Sequence, residues 1–205
     1  MSLLKSAATA MAGLLMTASA HAAPEPGKTA PEFSAVDSNG KTVKLSDYRG
    51  KTVVLEWTND GCPYVQKHYS SNNMQMLQKE ETAKGIVWLT IVSSAPGEQG
   101  YVTGDEANKL TRSRGAAPTA VLLDPEGKIG HLYDARTTPH MFIVNPEGTL
   151  VYMGGIDNKP TTNLADIKTA KNYVRAALDS VEAGKPVENA VTRPYGCSVK
   201  YKYSS

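Results

Sequence analysis

The stretch "TVVLEWTNDGCPYVQKHY", residues 52–69, constrains this chain more than any other. "TVVLEWT" is rich in β-branched and aromatic residues, which suit a buried strand. Only Asn59, Asp60, Gly61 and Cys62 separate it from Pro63, and proline is favoured as the first residue of a helix, where its missing N–H costs nothing. A buried strand that runs almost directly into a helix is the start of an α/β layer architecture. In such sheets the reactive groups lie at the carboxyl ends of strands, where the following helix begins, and Cys62 stands at that point.

The rest of the chain extends the pattern. Phe33, Ala35 and Val36 run into Ser38-Asn39-Gly40, and Val43 and Leu45 follow with alternating polarity, which predicts a β-hairpin closed by an Asn-Gly turn. Residues 63–84 carry apolar positions at helical spacing, including Val65, Tyr69, Met76 and Leu77. They stop at Gly85, and the poor helix formers "SSNN" (70–73) are placed to bend or split them. "IVWLTIVSS" (86–94) and "TAVLLD" (119–124) read as strands. Between them, Thr103 and Glu106 have the spacing of a capping box and open a short helix that ends near Gly115. Asp124-Pro125 can start another short helix towards Tyr133. "HMFIVNPEGTLVYMGG" is a second hairpin, and "NLADIKTAKNYVRAALDSVEAG" is a long amphipathic helix capped by Asn163 and ended by Gly184 and Pro186. The tail "KPVENAVTRPYGCSVKYKYSS" has no helical period and carries the second cysteine, Cys197.

The first 22 residues stand apart. They hold one lysine, no acid, and a small-residue apolar run ending in Ala20-His21-Ala22, the layout of a secretory signal peptide cleaved after Ala22. Residues 23–28 then form a leader, 29–184 one domain, and 185–205 the tail. Without Lys5, 21 basic residues face 20 acidic ones. That balance, with scattered charges, gives no reason to expect nucleic acid or an anionic membrane as a partner. No later apolar run is long enough to span a bilayer. A periplasmic or secreted location is expected, and in an oxidising compartment two cysteines in one chain are expected to meet. Cys62 and Cys197 are the candidate disulfide.

Three separated pieces resemble the thioredoxin fold: the strand–Cys-Pro–helix at "LEWTNDGCPYV", the Thr138-Pro139 step of "LYDARTTPHMFIV", and the leader hairpin "FSAVDSNGKTVKLSDYRGK". The hairpin is typical of the redoxin branch, the alkyl-hydroperoxide-reductase/thiol-specific-antioxidant (AhpC/TSA) group. Within it the chain resembles a peroxiredoxin-like subgroup with a Cys-Pro-Tyr-Val core followed by Lys-His-Tyr. The resemblance covers about residues 29 to 183. It implies a central mixed sheet flanked by helices, with an N-terminal hairpin and a C-terminal tail. It also implies a cis bond before Pro139, which sets backbone groups of Thr138 against the Cys62 sulfur, ready for an extended substrate. Two departures matter. The peroxiredoxin pattern Pro-x-x-x-Thr-x-x-Cys meets Leu55 and Asn59 in its proline and threonine slots, and the second cysteine of a thioredoxin site is replaced by Val65.

Only a thiolate attacks disulfides or peroxides, and a helix N-terminus lowers a cysteine pKa. Cys62 is thus expected to be the nucleophile, with Asp60 opposing the thiolate if it lies close. Cys197 is expected to act either as a resolving cysteine or as a structural staple. Pro63, Thr138 and Pro139 are the candidate positioning residues; Trp57, Asn59, Tyr64 and His140 are candidates to line the pocket. His68, six positions past Cys62, is expected on another side of the helix. The expected activity is thiol–disulfide exchange with protein thiols or disulfides, or with a thiol reductant, and without a cofactor. The alternatives are thiol peroxidase activity and a non-catalytic binding module, including a copper(I) site on Cys62, Cys197 and His140.

Overall fold

The computed structural model describes residues 23–202. The expected signal peptide lies outside the described residues. Seven strands form one mixed sheet: β1 (Ser34–Asp37), β2 (Thr42–Lys44), β3 (Val53–Trp57), β4 (Val87–Val92), β5 (Ala120–Leu123), β7 (His140–Val144) and β8 (Leu150–Gly154). Their order is β2-β1-β5-β4-β3-β7-β8. The inner strands β5, β4 and β3 are parallel, while the β1–β2 and β7–β8 hairpins add antiparallel strands at either end. A second, two-stranded sheet joins β6 (Thr137–Thr138) to β9 (Cys197–Ser198).

Alternation along β3 divides the core. Val53, Leu55 and Trp57 pack with Phe33, Leu89, Ile129, Tyr133 and Phe142. Val54 packs on the other side with Val65, Leu77, Trp88, Ile143 and Leu178. All five β3 residues are buried, which fits a strand with parallel and antiparallel neighbours and helices over the sheet. Glu56 is enclosed with them. Its carboxylate accepts from the Tyr69 hydroxyl at 2.8 Å, Trp88 Nε1 at 2.8 Å, Gln78 Nε2 at 3.0 Å and Thr90 Oγ1 at 3.1 Å.

The leader hairpin closes as its Asn-Gly turn predicts, with Asp37 Oδ1 accepting from the Asn39 and Lys41 N–H groups. Residues 63–84 are split into α1 (Pro63–Ser70) and α2 (Asn73–Ala83), because Asn72 adopts φ 60°. The capping box at Thr103 and Glu106 opens α3 (Gly104–Ser113), and α4 (Lys128–Leu132) follows β5. The expected long helix from Asn163 is different. Leu164–Thr169 form a 3₁₀ turn with no buried residue, and α5 (Tyr173–Glu182) begins anew with Asn172 as its cap. The segment between them is held by Asn158, whose N–H donates to the Lys171 carbonyl and whose side chain accepts from the Lys171 N–H. Those contacts hold 170–172 in a conformation that a helix would not allow.

Candidate functional site

The turn from β3 into α1 is built by Asn59. Its Oδ1 accepts from the Gly61 N–H at 2.9 Å, its carbonyl accepts from the Cys62 N–H at 3.1 Å, and its Nδ2 donates to the Gln99 carbonyl at 3.0 Å. Asn59 therefore shapes the loop that presents Cys62. Cys62 is the N-cap residue of α1 and Pro63 its first helical residue. The Thr138–Pro139 peptide bond is cis, and the Thr138 carbonyl lies 3.1 Å from the Cys62 sulfur.

The tail completes the site. Strand β9 runs antiparallel to β6 with Cys197 opposite Thr138, which puts the two cysteine sulfurs 2.6 Å apart. Both are free thiols here; a disulfide bond of about 2.05 Å is not formed. The tail takes up the backbone edge of Thr138 that sequence reasoning reserved for an extended substrate. It is also held along its length. Thr192 N–H donates to the Met153 carbonyl, Val199 N–H to the Arg136 carbonyl, and the Tyr201 hydroxyl to the Ala135 carbonyl, while the Lys200 carbonyl accepts from the Ala95 N–H. Gly196 makes the close approach possible. Its φ is 140°, and a Cβ at that position would run into the Thr138 carbonyl.

Tyr195 anchors this arrangement to α1. Its hydroxyl donates to Asp157 Oδ1 at 2.5 Å and lies 3.2 Å from His68 Nε2. Its ring meets the Tyr64 ring edge-on, with centroids 5.9 Å apart, and carries the Lys67 ammonium 5.5 Å above it. Lys67 and Asp157 are both buried, 3.7 Å apart, and the Lys67 ammonium donates to the Lys159 carbonyl at 2.7 Å. Asp157 Oδ2 has no hydrogen-bond partner. Lys67, Asp157 and Tyr195 were not singled out from the sequence. The signal available was the adjacent Lys67-His68-Tyr69, three side chains that a solvated helix face would not be expected to bury.

The electrostatics are asymmetric. Burial raises the Cys62 pKa, but hydrogen bonding from Cys197 and Thr138 and the Val65 N–H outweigh it, so the Cys62 thiol lies below its ordinary value. The Cys62 sulfur makes no N-cap hydrogen bond, and the pull of the Val65 N–H is that of a nearby helix-end dipole. Burial and the neighbouring Cys62 push the Cys197 thiol up to about 11. Asp60 lies 3.4 Å from the Arg114 guanidinium.

The remaining candidates separate. Trp57 is core: its ring packs on Tyr133 and Phe142 and its Nε1 donates to Ser93 Oγ. His140 packs on Phe142, accepts from the Arg136 N–H at Nδ1, and leaves Nε2 buried without a partner. His68 is fully buried and belongs to the Tyr195 anchor. Burial, the leading cause, lowers both histidines to about 4. Tyr64 borders an open cleft of about 520 Å³ beside the tail, together with Thr137, Pro160, Tyr173, Tyr195 and Gly196. Among the described residues no three His, Cys, Asp or Glu side chains come together as a metal site, and no helix is long and apolar enough to cross a membrane.

Comparison with known proteins places this geometry in context. The fold is thioredoxin-like, with solved structures aligning over nearly the whole chain. An uncharacterized conserved protein from Geobacillus kaustophilus is 26% identical, with a TM-score of 0.73 and 88% of this chain and 94% of that one covered. A hypothetical protein from Sinorhizobium meliloti is 21% identical, with a TM-score of 0.74 and 89% and 98% covered. Among curated proteins, the thiol-disulfide oxidoreductase ResA of Bacillus subtilis is 27% identical over 125 residues, 61% of this chain. The match spans 64% of that relative, somewhat under two thirds of its length. The family model described as AhpC/TSA matches residues 26–153, a stretch that holds Cys62 and Pro139 and stops before the tail, and the chain belongs to that family.

Proposed function

We propose that this chain is an exported thiol–disulfide oxidoreductase in which Cys62 and Cys197 cycle between dithiol and disulfide. The observation that carries the reading is the sulfur pair itself. Two cysteines from opposite ends of the fold meet 2.6 Å apart at a helix N-terminus, against a cis-proline loop, and one of them has a lowered pKa. The similarity to a thiol-disulfide oxidoreductase supports the same chemistry. The substrates are protein thiols or disulfides, or a small thiol reductant, met outside the cytoplasm after removal of residues 1–22. In this reading 29–184 is the redox domain and 185–205 the tail that brings the second sulfur.

The test is the reduction potential of the Cys62–Cys197 pair. A bridge that turns over lies above about −300 mV, and a purely structural staple lies below it. Exchange with a model disulfide substrate is expected to vanish in Cys62→Ala; unchanged exchange in that variant would exclude the reading.

A thiol peroxidase reading draws on the same family and leader hairpin. Against it, Leu55 and Asn59 fill the slots expected to shape a peroxide pocket, the Asn59 side chain is spent on the loop, and Cys62 is fully enclosed. Peroxide consumption lost in Cys62→Ser and stalled in Cys197→Ser would restore it.

A further inference from the structure

We propose, resting on the oxidoreductase reading above, that the bridge opens at Cys197: a substrate thiolate arriving through the cleft beside the tail attacks the Cys197 sulfur, and Cys62 is the leaving group. This reverses the roles that the Cys-Pro-helix motif suggests. The reason is access along one line. A thiolate displaces a thiolate at a disulfide sulfur by approaching roughly along the S–S axis, from the side opposite the bond that breaks. Attack on Cys62 would have to come from behind it. Cys62 belongs to a buried core cluster with Val65 and Met141 and has 0% exposure.

Cys197 is the more exposed of the two cysteines. It is half-buried, at the start of a two-residue strand. Its neighbours Tyr195 and Gly196 line the 520 Å³ cleft with Tyr64, Thr137, Pro160 and Tyr173. That cleft is open to solvent, and two of its lining residues, Tyr195 and Asp157, are joined by a hydrogen bond. Leaving-group chemistry favours the same direction. Exchange is faster when the departing thiol has the lower pKa. Cys62 is the thiol held low, first by hydrogen bonding with Cys197 and then by the Thr138 side chain and the Val65 N–H, while Cys197 is the one pushed up by burial and by Cys62.

The step balances without an outside oxidant. The substrate thiolate forms a bond to the Cys197 sulfur, the Cys197–Cys62 bond breaks, and its electron pair leaves on Cys62 as a thiolate. A second thiolate of the same substrate then attacks the substrate sulfur, forming the substrate's disulfide and releasing Cys197, which takes a proton. The substrate class is therefore a dithiol. It loses two electrons and two protons, and the protein's bridge takes up the electrons.

The oxidised full-length protein is mixed with N-acetylcysteine, quenched in acid at short times, alkylated, and mapped by peptide mass spectrometry. The thiol adduct is expected on the Cys197 peptide in about tenfold or greater excess, with Cys62 recovered as the alkylated thiol. An adduct mainly on Cys62 overturns the inference and leaves the oxidoreductase reading standing. A bridge that N-acetylcysteine does not open, and that dithiothreitol reduces only at potentials below about −300 mV, overturns the oxidoreductase reading and this inference with it.

Discussion

Removing one oxygen from Tyr195 is expected to uncover Cys62. In the reduced protein Cys62 is fully enclosed, and an alkylating reagent reaches it only when the tail lifts off α1. The hydroxyl of Tyr195 holds the tail down through Asp157 Oδ1 at 2.5 Å and the neighbouring His68 Nε2 at 3.2 Å. A hydrogen bond to a charged group contributes about 1.5–3 kcal/mol. In Tyr195→Phe the ring keeps its contacts with Tyr64 and Lys67, so the loss is confined to the hydroxyl. Each 1.4 kcal/mol is a factor of ten in an equilibrium, so the open population should rise about ten- to a hundredfold. The assay is the rate of Cys62 alkylation by iodoacetamide, read on its peptide in a Cys197→Ser background so that one thiol reacts. Tyr133→Phe is the control: it loses a hydroxyl bonded at 2.7 Å to the carbonyl of Pro31, which is not a tail residue. An unchanged rate in Tyr195→Phe, or an equal rise in Tyr133→Phe, would show that Cys62 is reached by another opening and refute the anchor.

Three further outcomes are expected from other contacts. Gly196→Ala places a methyl group against the Thr138 carbonyl at a φ of 140°, so β9 should detach from β6, and the oxidised bridge should form far more slowly under a fixed glutathione buffer; normal bridge formation counts against the pairing. Glu56→Ala leaves the Tyr69, Trp88, Gln78 and Thr90 donors without their acceptor. At about 1–3 kcal/mol for each group left unpaired, a loss of at least about 3 kcal/mol is expected, which a thermal melt reads as a drop of about 6–12 °C. Acid should act through the two buried histidines, whose folded pKa of about 4 lies below the unfolded value of about 6.5. The unfolded chain then binds more protons between those values, so stability is full above about pH 6.5 and falls towards pH 4, by on the order of 3 kcal/mol per histidine. Denaturant midpoints that stay level across this window, or imidazoles that titrate near 6.5 by NMR, would contradict it.

What could be read from the sequence was what local chemistry decides. The Asn39-Gly40 turn, the buried run from Val53 to Trp57, Pro63 at a helix start and the Thr103/Glu106 capping box each depend on residues within a few positions. The helix expected from Asn163 shows the limit. Leu164, Ile167 and Ala170 keep the apolar spacing, yet Asn158 binds Lys171 from both its backbone and its side chain, and the segment leaves the helix to meet it. Asn172 then caps a fresh start through the Arg175 N–H. A distant partner outweighed a local pattern, and periodicity cannot register a partner it does not see.

The tail carries that lesson into the site. Its hydrogen bonds go to Met153, Arg136, Asp157, Ala95 and Ala135, all far from it in sequence, and β6 and β9 are two residues each, too short to leave a pattern. The two sulfurs could still be expected to meet, because an expected compartment and the cysteine count required no geometry. Their roles were another matter. The motif assigns the nucleophile by position in the chain, to the cysteine at the helix start. Burial assigns it by which sulfur a substrate can reach. In a site where the partner cysteine comes within the reactive motif, these two criteria agree. Here the partner arrives from the tail and lies over the motif's cysteine, so the two criteria part: the helix start marks Cys62, and exposure marks Cys197.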